Sequence, residues 1–315
     1  MTQDRLSALT GKPASALAFG VMQWGGKADP AASRQMYDLA RDAGITIFDA
    51  AYIYTEGRAE EMLGDIAKTE RDALILISKC AYRDGVSGDD LKAQARESLR
   101  RLQTDRIDVL YLHRYPGDAR LREALEAMRD LYAEGAFTCL GASNFAAWEV
   151  MKAQAVAEQV GAPPITVLQP MYNLVKRQAE VEILPMALRE DLAVLPYSPL
   201  GGGLLTGKYS RGESGRLTED DRYRARYAPS WMTEAAEGLI RIANATGIAP
   251  ETLAVAWVGS HPAITAPIAS ASRPDQLAVS LAALSTDLSP ELHAELSALA
   301  PTPPPATDRL EDVDG

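Results

Sequence analysis

The chain has 315 residues, 47% hydrophobic and 24% charged, with a formal net charge of −11. That composition supplies the apolar core of an ordinary globular protein, and so acidic a balance excludes polyanion binding as the main role, because nucleic acid demands a broad Lys/Arg surface. Cys80 and Cys139, the two cysteines, are too few for a disulfide framework or a thiolate metal cage and read as reduced, inert thiols.

Residues 1–12 mix charged and polar side chains without the apolar core of a secretion signal. No run approaches the roughly 18 apolar residues of a membrane span. A cytoplasmic protein without a membrane or nucleic-acid partner is therefore expected. From residue 16 onward, short apolar runs alternate with amphipathic segments. The predicted strands are 16–21, 45–48, 74–78, 107–112, 138–142, 165–168, 193–196 and 264–268. The intervening segments carry apolar residues at three-and-four spacing, as in 90–102, 121–134 and 146–159. Ser87 and Asp90 have the spacing of a capping box for the first of these. Eight strand-plus-helix units with no linker between halves predict an α/β fold, a parallel (β/α)8 barrel occupying residues 1–299. The interval between the seventh and eighth strands is longer than one unit and contains an insertion, 209–232, rich in Arg, Tyr, Asp and Glu. A lid over the site and a solvated surface loop are both open for it. Residues 300–315 read as a Pro-rich acidic tail, extended and mobile.

Polar residues fall in a regular place. Asp49, Lys79, His113, Ser143, Gln169 and Tyr197 each end or follow an apolar run, at intervals of 30, 34, 30, 26 and 28 residues. One interval is one strand-plus-helix unit. In a barrel these positions are the C-terminal ends of successive strands, so six distant side chains converge on the face where barrel active sites lie.

Reduction of a carbonyl needs a hydride donor, a proton donor near the oxygen and something to stabilise the charge developing there. A tyrosine can be the acid if a neighbouring ammonium favours the phenolate left behind. Lys79 can supply that charge from the adjacent strand, and Asp49 can hold the lysine. Two tyrosines, Tyr52 and Tyr54, follow Asp49, and spacing does not choose between them. Three histidines without HxH or HExxH spacing predict no metal site.

The stretch Phe48-Asp49-Ala50-Ala51-Tyr52-Ile53-Tyr54, with Glu60, Leu63 and Gly64 beyond it, resembles the signature of the aldo-keto reductases. The resemblance makes Tyr54 the proton donor, with Asp49, Lys79 and His113 completing a catalytic tetrad. Gly141-Ala142-Ser143-Asn144-Phe145 and Gln169 are similar to the segments that bind the nicotinamide carboxamide in that family. Tyr197 to Tyr209 resembles the stretch in which a tyrosine stacks on the nicotinamide and the following residues line the pyrophosphate, implying Ser198, Leu200, Gly202 and Lys208 as contacts. At the adenosine end, residues 267–277 resemble the last strand and helix start, implying Ser270, Ser272, Arg273 and Gln276. Ser272 and Asp275 have capping-box spacing there, and a helix N-terminus suits a phosphate. Ser272 departs from the basic residue common in the family, yet Ser272 and Arg273 together can hold a 2′-phosphate. NADPH is favoured over NADH. Residues 20–25 fit the first strand and loop, which makes Trp24, and less directly Tyr52, a wall of the substrate pocket. The expected activity is NAD(P)H-dependent hydride transfer to a small aldehyde or ketone, without an obligate protein partner. The alternative is a nucleotide-binding regulatory subunit of the same fold, and the complete tetrad disfavours it.

Overall fold

The computed structural model describes residues 2–307. Its parallel strands are β1 Ala18–Gly20, β2 Ile47–Asp49, β3 Ile75–Cys80, β4 Ile107–Leu112, β5 Phe137–Ser143, β6 Ile165–Gln169, β7 Ala193–Val194 and β8 Ile268–Ala269. From β1 to β7 each pairs with the next in sequence, and β1 also pairs with β8. The ring closes between the last two strands, where Ile268 N–H donates to Pro196 O at 2.9 Å and Tyr197 bridges Ile268. An open doubly wound sheet is thereby excluded, and the (β/α)8 barrel stands.

Every predicted strand has a counterpart; 107–112 matches β4 at both ends, and the others are displaced at one end or both. β3 runs on through Lys79 to Cys80, because a charged side chain breaks the apolar run without breaking the hydrogen-bond ladder. The predicted strand 264–268 is mostly irregular. There Thr265 N–H donates to Val194 O at 2.8 Å, while the Thr265 hydroxyl accepts from Val194 N–H at 3.0 Å.

Helices α1 Thr2–Thr10, α2 Pro30–Asp42, α3 Arg58–Ala67, α4 Gly88–Leu102, α5 Asp118–Ala133, α6 Ala147–Val160 and α7 Ile183–Arg189 precede the insertion. Short helices α8 Arg216–Glu219 and α9 Asp221–Arg226 form it, followed by α10 Ser230–Thr246, α11 Pro250–Gly259, α12 Pro274–Leu281 and α13 Pro290–Ser297. Local chemistry sets several of the starts. Ser87 and Asp90 close the expected capping box on α4, and Asp29 accepts from Ala32 N–H ahead of Pro30 on α2. No helix among the described residues is long and apolar enough to cross a membrane.

The strands alternate with period two. Outward residues such as Phe48, Leu76, Leu110, Leu140 and Leu168 pack beneath the helices, and inward ones form a second cluster of Ala18, Ile47, Ile75, Ile77, Val109, Tyr111, Cys139, Val167, Ala193, Leu195, Ala266 and Ile268. Leu6 of α1, fully buried, joins this inner cluster and plugs the bottom of the barrel, and the Cys139 thiol donates to Leu9 O at 3.6 Å. Both cysteines are buried and free, and burial pushes the Cys139 thiol up to about 11 and the Cys80 thiol higher still, so neither is a reactive thiolate. At Gly141 the alternation needs an absent side chain, since a Cβ there would stand 2.5 Å from the Tyr111 ring. The inward series then turns polar one step higher, as Ile47 gives way to Asp49, Ile77 to Lys79, Tyr111 to His113, Gly141 to Ser143, Val167 to Gln169 and Leu195 to Tyr197. The site is the top layer of the barrel's own side-chain stack.

Candidate active site

Lys79 lies at the centre of that layer, fully buried. Its ammonium donates to Asp49 Oδ1 at 2.5 Å, to Ala50 O at 2.7 Å and to the Tyr54 hydroxyl at 3.2 Å. The other Asp49 oxygen accepts from Gln169 Nε2 at 2.8 Å. Both carboxylate oxygens are therefore occupied, and the lysine is fixed in position. Burial lowers the Lys79 pKa, opposed by the Asp49 charge. Tyr54 is half-buried, with its ring beneath the ammonium at 4.8 Å. Burial, reinforced by the Asp49 charge, raises its hydroxyl well above the ordinary tyrosine value. The resting tyrosine is consequently a protonated acid, and the ammonium beside it matters after the proton has left. His113, nearly buried, meets Tyr54 edge-on at 6.0 Å between ring centroids and Tyr82 at 4.8 Å. Burial and the Lys79 and Arg114 charges hold its pKa well below the usual histidine value, so the ring is neutral, and its Nδ1 has no hydrogen-bond partner among the described residues.

A second group borders the tetrad. Ser143 Oγ donates to Gln169 O at 3.0 Å, and Asn144 Nδ2 donates to His113 O at 2.9 Å. Asn144 Oδ1 accepts from the Tyr197 hydroxyl at 2.7 Å. Asn144 and Ser198 are left-handed, at φ 59° and 60°, and both lie where a strand breaks into its loop. The next turn, Gly201-Gly202-Gly203, has φ values of 57°, 66° and 93°, a run that side chains beyond glycine resist. It also makes room, because a Cβ on Gly202 would approach the Tyr223 ring at 2.9 Å and one on Gly203 would approach Lys208 Cε at 2.8 Å.

The insertion folds onto this mouth. The guanidinium groups of Arg216 and Arg226 lie 5.4 and 5.0 Å from the centre of the Tyr223 ring. Glu219 pairs with Lys27 at 2.5 Å, joining the insertion to the loop after β1. Lys208 makes no ion pair among the described residues. Just beyond β8, Ser270 Oγ is buried without a hydrogen-bond partner among the described residues. Arg273 pairs with Asp275 at 3.0 Å, exposed to solvent.

Three expectations are corrected. Trp24 is fully buried, edge-on to Phe19 at 5.8 Å, so it props the β1 loop from within the core instead of lining a pocket. The Tyr52 ring turns toward α4, where Arg101 stacks on it at 4.6 Å. Ser272 does not cap α12, whose N-cap is Arg273. The Ser272 N–H and hydroxyl both donate to Gln276 Oε1 at 3.1 Å, so the glutamine reaches back and Pro274 starts the helix. Tyr82, on the loop after β3, and Arg216, at the start of the short helix α8, escaped sequence reading, since no periodicity singles them out.

A nicotinamide dinucleotide suits the groups still free here. These are the buried unpartnered Ser270 Oγ and the Lys208 ammonium, which makes no ion pair among the described residues and lies 5.0 Å from the centre of the Tyr209 ring. The family model described as "Aldo/keto reductase family" matches residues 16–301. The chain is 33% identical over 268 residues to "Aldo-keto reductase family 7 member A3" of Homo sapiens, covering 81% of this chain and 77% of that protein. It is 35% identical over 217 residues to "Aflatoxin B1 aldehyde reductase member 2" of Rattus norvegicus, covering 67% and 58%. A "Probable voltage-gated potassium channel subunit beta" of Oryza sativa subsp. japonica is 28% identical over 320 residues, covering 95% and 97%.

Proposed function

The chain belongs to the aldo/keto reductase family, and on that premise we propose that it reduces small aldehydes or ketones with NADPH, Tyr54 giving the proton. It is an oxidoreductase acting on carbonyl groups, and its family uses NAD(P)H. The observation that carries the assignment of Tyr54 is the Lys79 ammonium shared between Asp49 Oδ1 at 2.5 Å and the Tyr54 hydroxyl at 3.2 Å, whereas Tyr52 stacks on Arg101.

Reduced nicotinamide, when bound, supplies hydride to the carbonyl carbon. Ser143, Asn144, Gln169 and Tyr197 would hold its ring, Gln169 with its Oε1 and the Nε2 hydrogen that is not given to Asp49. Ser198, Leu200, Gly202 and Lys208 would line the pyrophosphate, and Ser270, Ser272, Arg273 and Gln276 the adenosine. The preference for NADPH rests on Arg273, whose exposed guanidinium can exchange Asp275 for a 2′-phosphate.

The remaining work belongs to the chain. His113, neutral, orients the carbonyl oxygen with a ring N–H. Tyr54 transfers its proton to that oxygen as the carbon gains hydride, so the C=O bond becomes an alcohol and the tyrosine a phenolate. The Lys79 ammonium stabilises the phenolate until solvent reprotonates it, and Asp49 keeps the lysine charged. A cytoplasmic location and freedom from an obligate protein partner complete the reading.

The test titrates the protein with NADPH and NADH, then records absorbance loss on a panel of aldehydes. In Tyr54→Phe, kcat is expected to fall about 10²- to 10⁴-fold with cofactor affinity retained. Unchanged turnover in that variant would sink Tyr54 as the acid. Cofactor binding without turnover on any carbonyl would replace the reductase with a nucleotide-binding regulatory protein.

A further inference from the structure

We propose that Arg101, in the last turn of α4, is the positioning residue that holds Tyr54 within reach of Lys79, acting through the buried carboxylate of Glu60 and the backbone of Tyr52. The inference rests on Tyr54 being the proton donor.

Tyr54 opens an unusual stretch of backbone. Thr55, Glu56 and Gly57 are left-handed in succession, at φ 47°, 61° and 97°. For a β-branched residue such as Thr55 that conformation is strained, and it persists only where the surroundings hold it. On one side the hold is Thr55 itself, whose hydroxyl donates to Trp24 O at 2.7 Å and accepts from Ala59 N–H at 3.0 Å. On the other side it is Arg101. Its Nη1 donates to Tyr52 O at 2.9 Å and to Glu60 Oε2 at 3.2 Å, its Nε donates to Glu97 Oε1 at 2.9 Å, and its plane stacks on the Tyr52 ring at 4.6 Å. The guanidinium also fills the space over Gly57, where a Cβ would lie 2.5 Å from its Cζ. One planar group therefore touches the residue two before Tyr54 and the residue three after it.

The anchor beneath it is Glu60, fully buried and unused by the chemistry above. Its Oε1 accepts from Ser78 Oγ at 2.5 Å, and Ser78 precedes Lys79 on β3. The chain of contacts Tyr52–Arg101–Glu60–Ser78 thus runs behind the tetrad and joins the loop that carries the acid to the strand that carries the ammonium. A guanidinium suits this place because only a planar fork can bond a carbonyl and a carboxylate while stacking on a ring. Lysine can keep the charge but not the geometry.

The test compares wild type, Arg101→Met, Arg101→Lys and the double variant Arg101→Met with Glu60→Gln, using NADPH and 4-nitrobenzaldehyde. For Arg101→Met we expect kcat down about tenfold to a hundredfold, the scale of a small misplacement of a reacting group, with KM and the NADPH Kd within about twofold of wild type. The groups facing Tyr54 are Asp49, Lys79, His113, Tyr82, Tyr223 and Arg216. With the ammonium no longer held at the hydroxyl, the alkaline limb of the kcat profile is expected to move to higher pH. A merely destabilised enzyme would lower the whole profile without moving it. Amide hydrogen exchange across residues 52–59 is expected to quicken about tenfold, a readout independent of turnover. Arg101→Lys is expected to fall between. The double variant removes the unpaired buried charge, so it recovers thermal stability but not kcat. The proposal is overturned if Arg101→Met keeps wild-type kcat per folded molecule, if exchange across 52–59 is unchanged, or if the double variant restores kcat along with stability. Turnover by wild type on no aldehyde at all would instead bring down the reductase reading, and this inference with it.

Discussion

Two lysine–aspartate pairs are buried at opposite ends of the barrel, and they are put to different uses. At the bottom, Asp108 of β4 is fully buried with Lys12 at 2.8 Å on one oxygen and Arg71 at 2.8 Å on the other, which also accepts from Leu76 N–H at 2.8 Å. The cations there end on fixed atoms, with Lys12 donating to Leu74 O at 2.7 Å and Arg71 to Thr104 Oγ1 at 2.8 Å. Each of these contacts ties one chain segment to another. At the mouth, Asp49 receives one cation and one amide, and the cation's remaining reach ends on the Tyr54 hydroxyl at 3.2 Å, a group that can give its proton away. What separates a staple from a site is therefore the last atom in the chain of contacts.

That contrast is broken most directly by removing one charge from each end. Asp108→Asn leaves two cations crowded without a carboxylate and is expected to cost about 3–5 kcal/mol of stability, read by denaturant unfolding. Its kcat at 25 °C, per folded molecule, should match wild type. Lys79→Met should do the reverse where it counts, lowering kcat about 10²- to 10³-fold through the lost charge on the phenolate. If Asp108→Asn depressed kcat as far as Lys79→Met, the two ends would not be separable. A smaller perturbation lies between them. Gly141→Ala would force a methyl against the Tyr111 ring, which fills the layer directly beneath Ser143 and His113. Overpacking there is expected to cost about 1–3 kcal/mol and to lower kcat severalfold, because the strain is passed upward into the site.

The two ends were also unequally legible in sequence. The mouth announced itself, since Asp49, Lys79, His113, Ser143, Gln169 and Tyr197 each interrupt an apolar run at one-unit spacing, and a strand that ends on a polar inward residue leaves that mark wherever it occurs. The bottom staple left none. Asp108 sits within an apolar run beside no turn signal, and its partners Lys12 and Arg71 come from a connecting segment and a short helical turn. The α1 plug was missed for a related reason, because a helix that inserts one leucine into a barrel needs no amphipathic stripe. Trp24 and Tyr52 were misread because residue type and proximity to the motif say nothing of which way a loop side chain turns. Thr55 and Glu56 were unreadable because left-handed backbone at non-glycine residues is imposed by tertiary contacts, not by local propensity, and Arg101 because its place on a helix does not show which loop its guanidinium reaches.

The smallest effect expected is a pH dependence that also distinguishes the two ends. His113 is neutral and buried in the folded chain, with its pKa held well below the ordinary histidine value by burial and by the Lys79 and Arg114 charges. In the unfolded chain the same imidazole takes up a proton below about pH 6.5. Below that pH the unfolded state binds the extra proton and the folded state does not, so stability rises with pH and is lost on acidification. The slope is at most about 1.4 kcal/mol per pH unit for one such group. His261, also lowered by burial, adds a share of its own. Unfolding measured between pH 7 and pH 5 should therefore show a shallower acid loss in His113→Asn than in wild type. Asp108→Asn, made at the other end, should leave this part of the slope in place. An identical acid slope in wild type and His113→Asn would mean that the imidazole is protonated in the folded mouth after all, and its role would change from a neutral orienting donor to a cation beside Lys79.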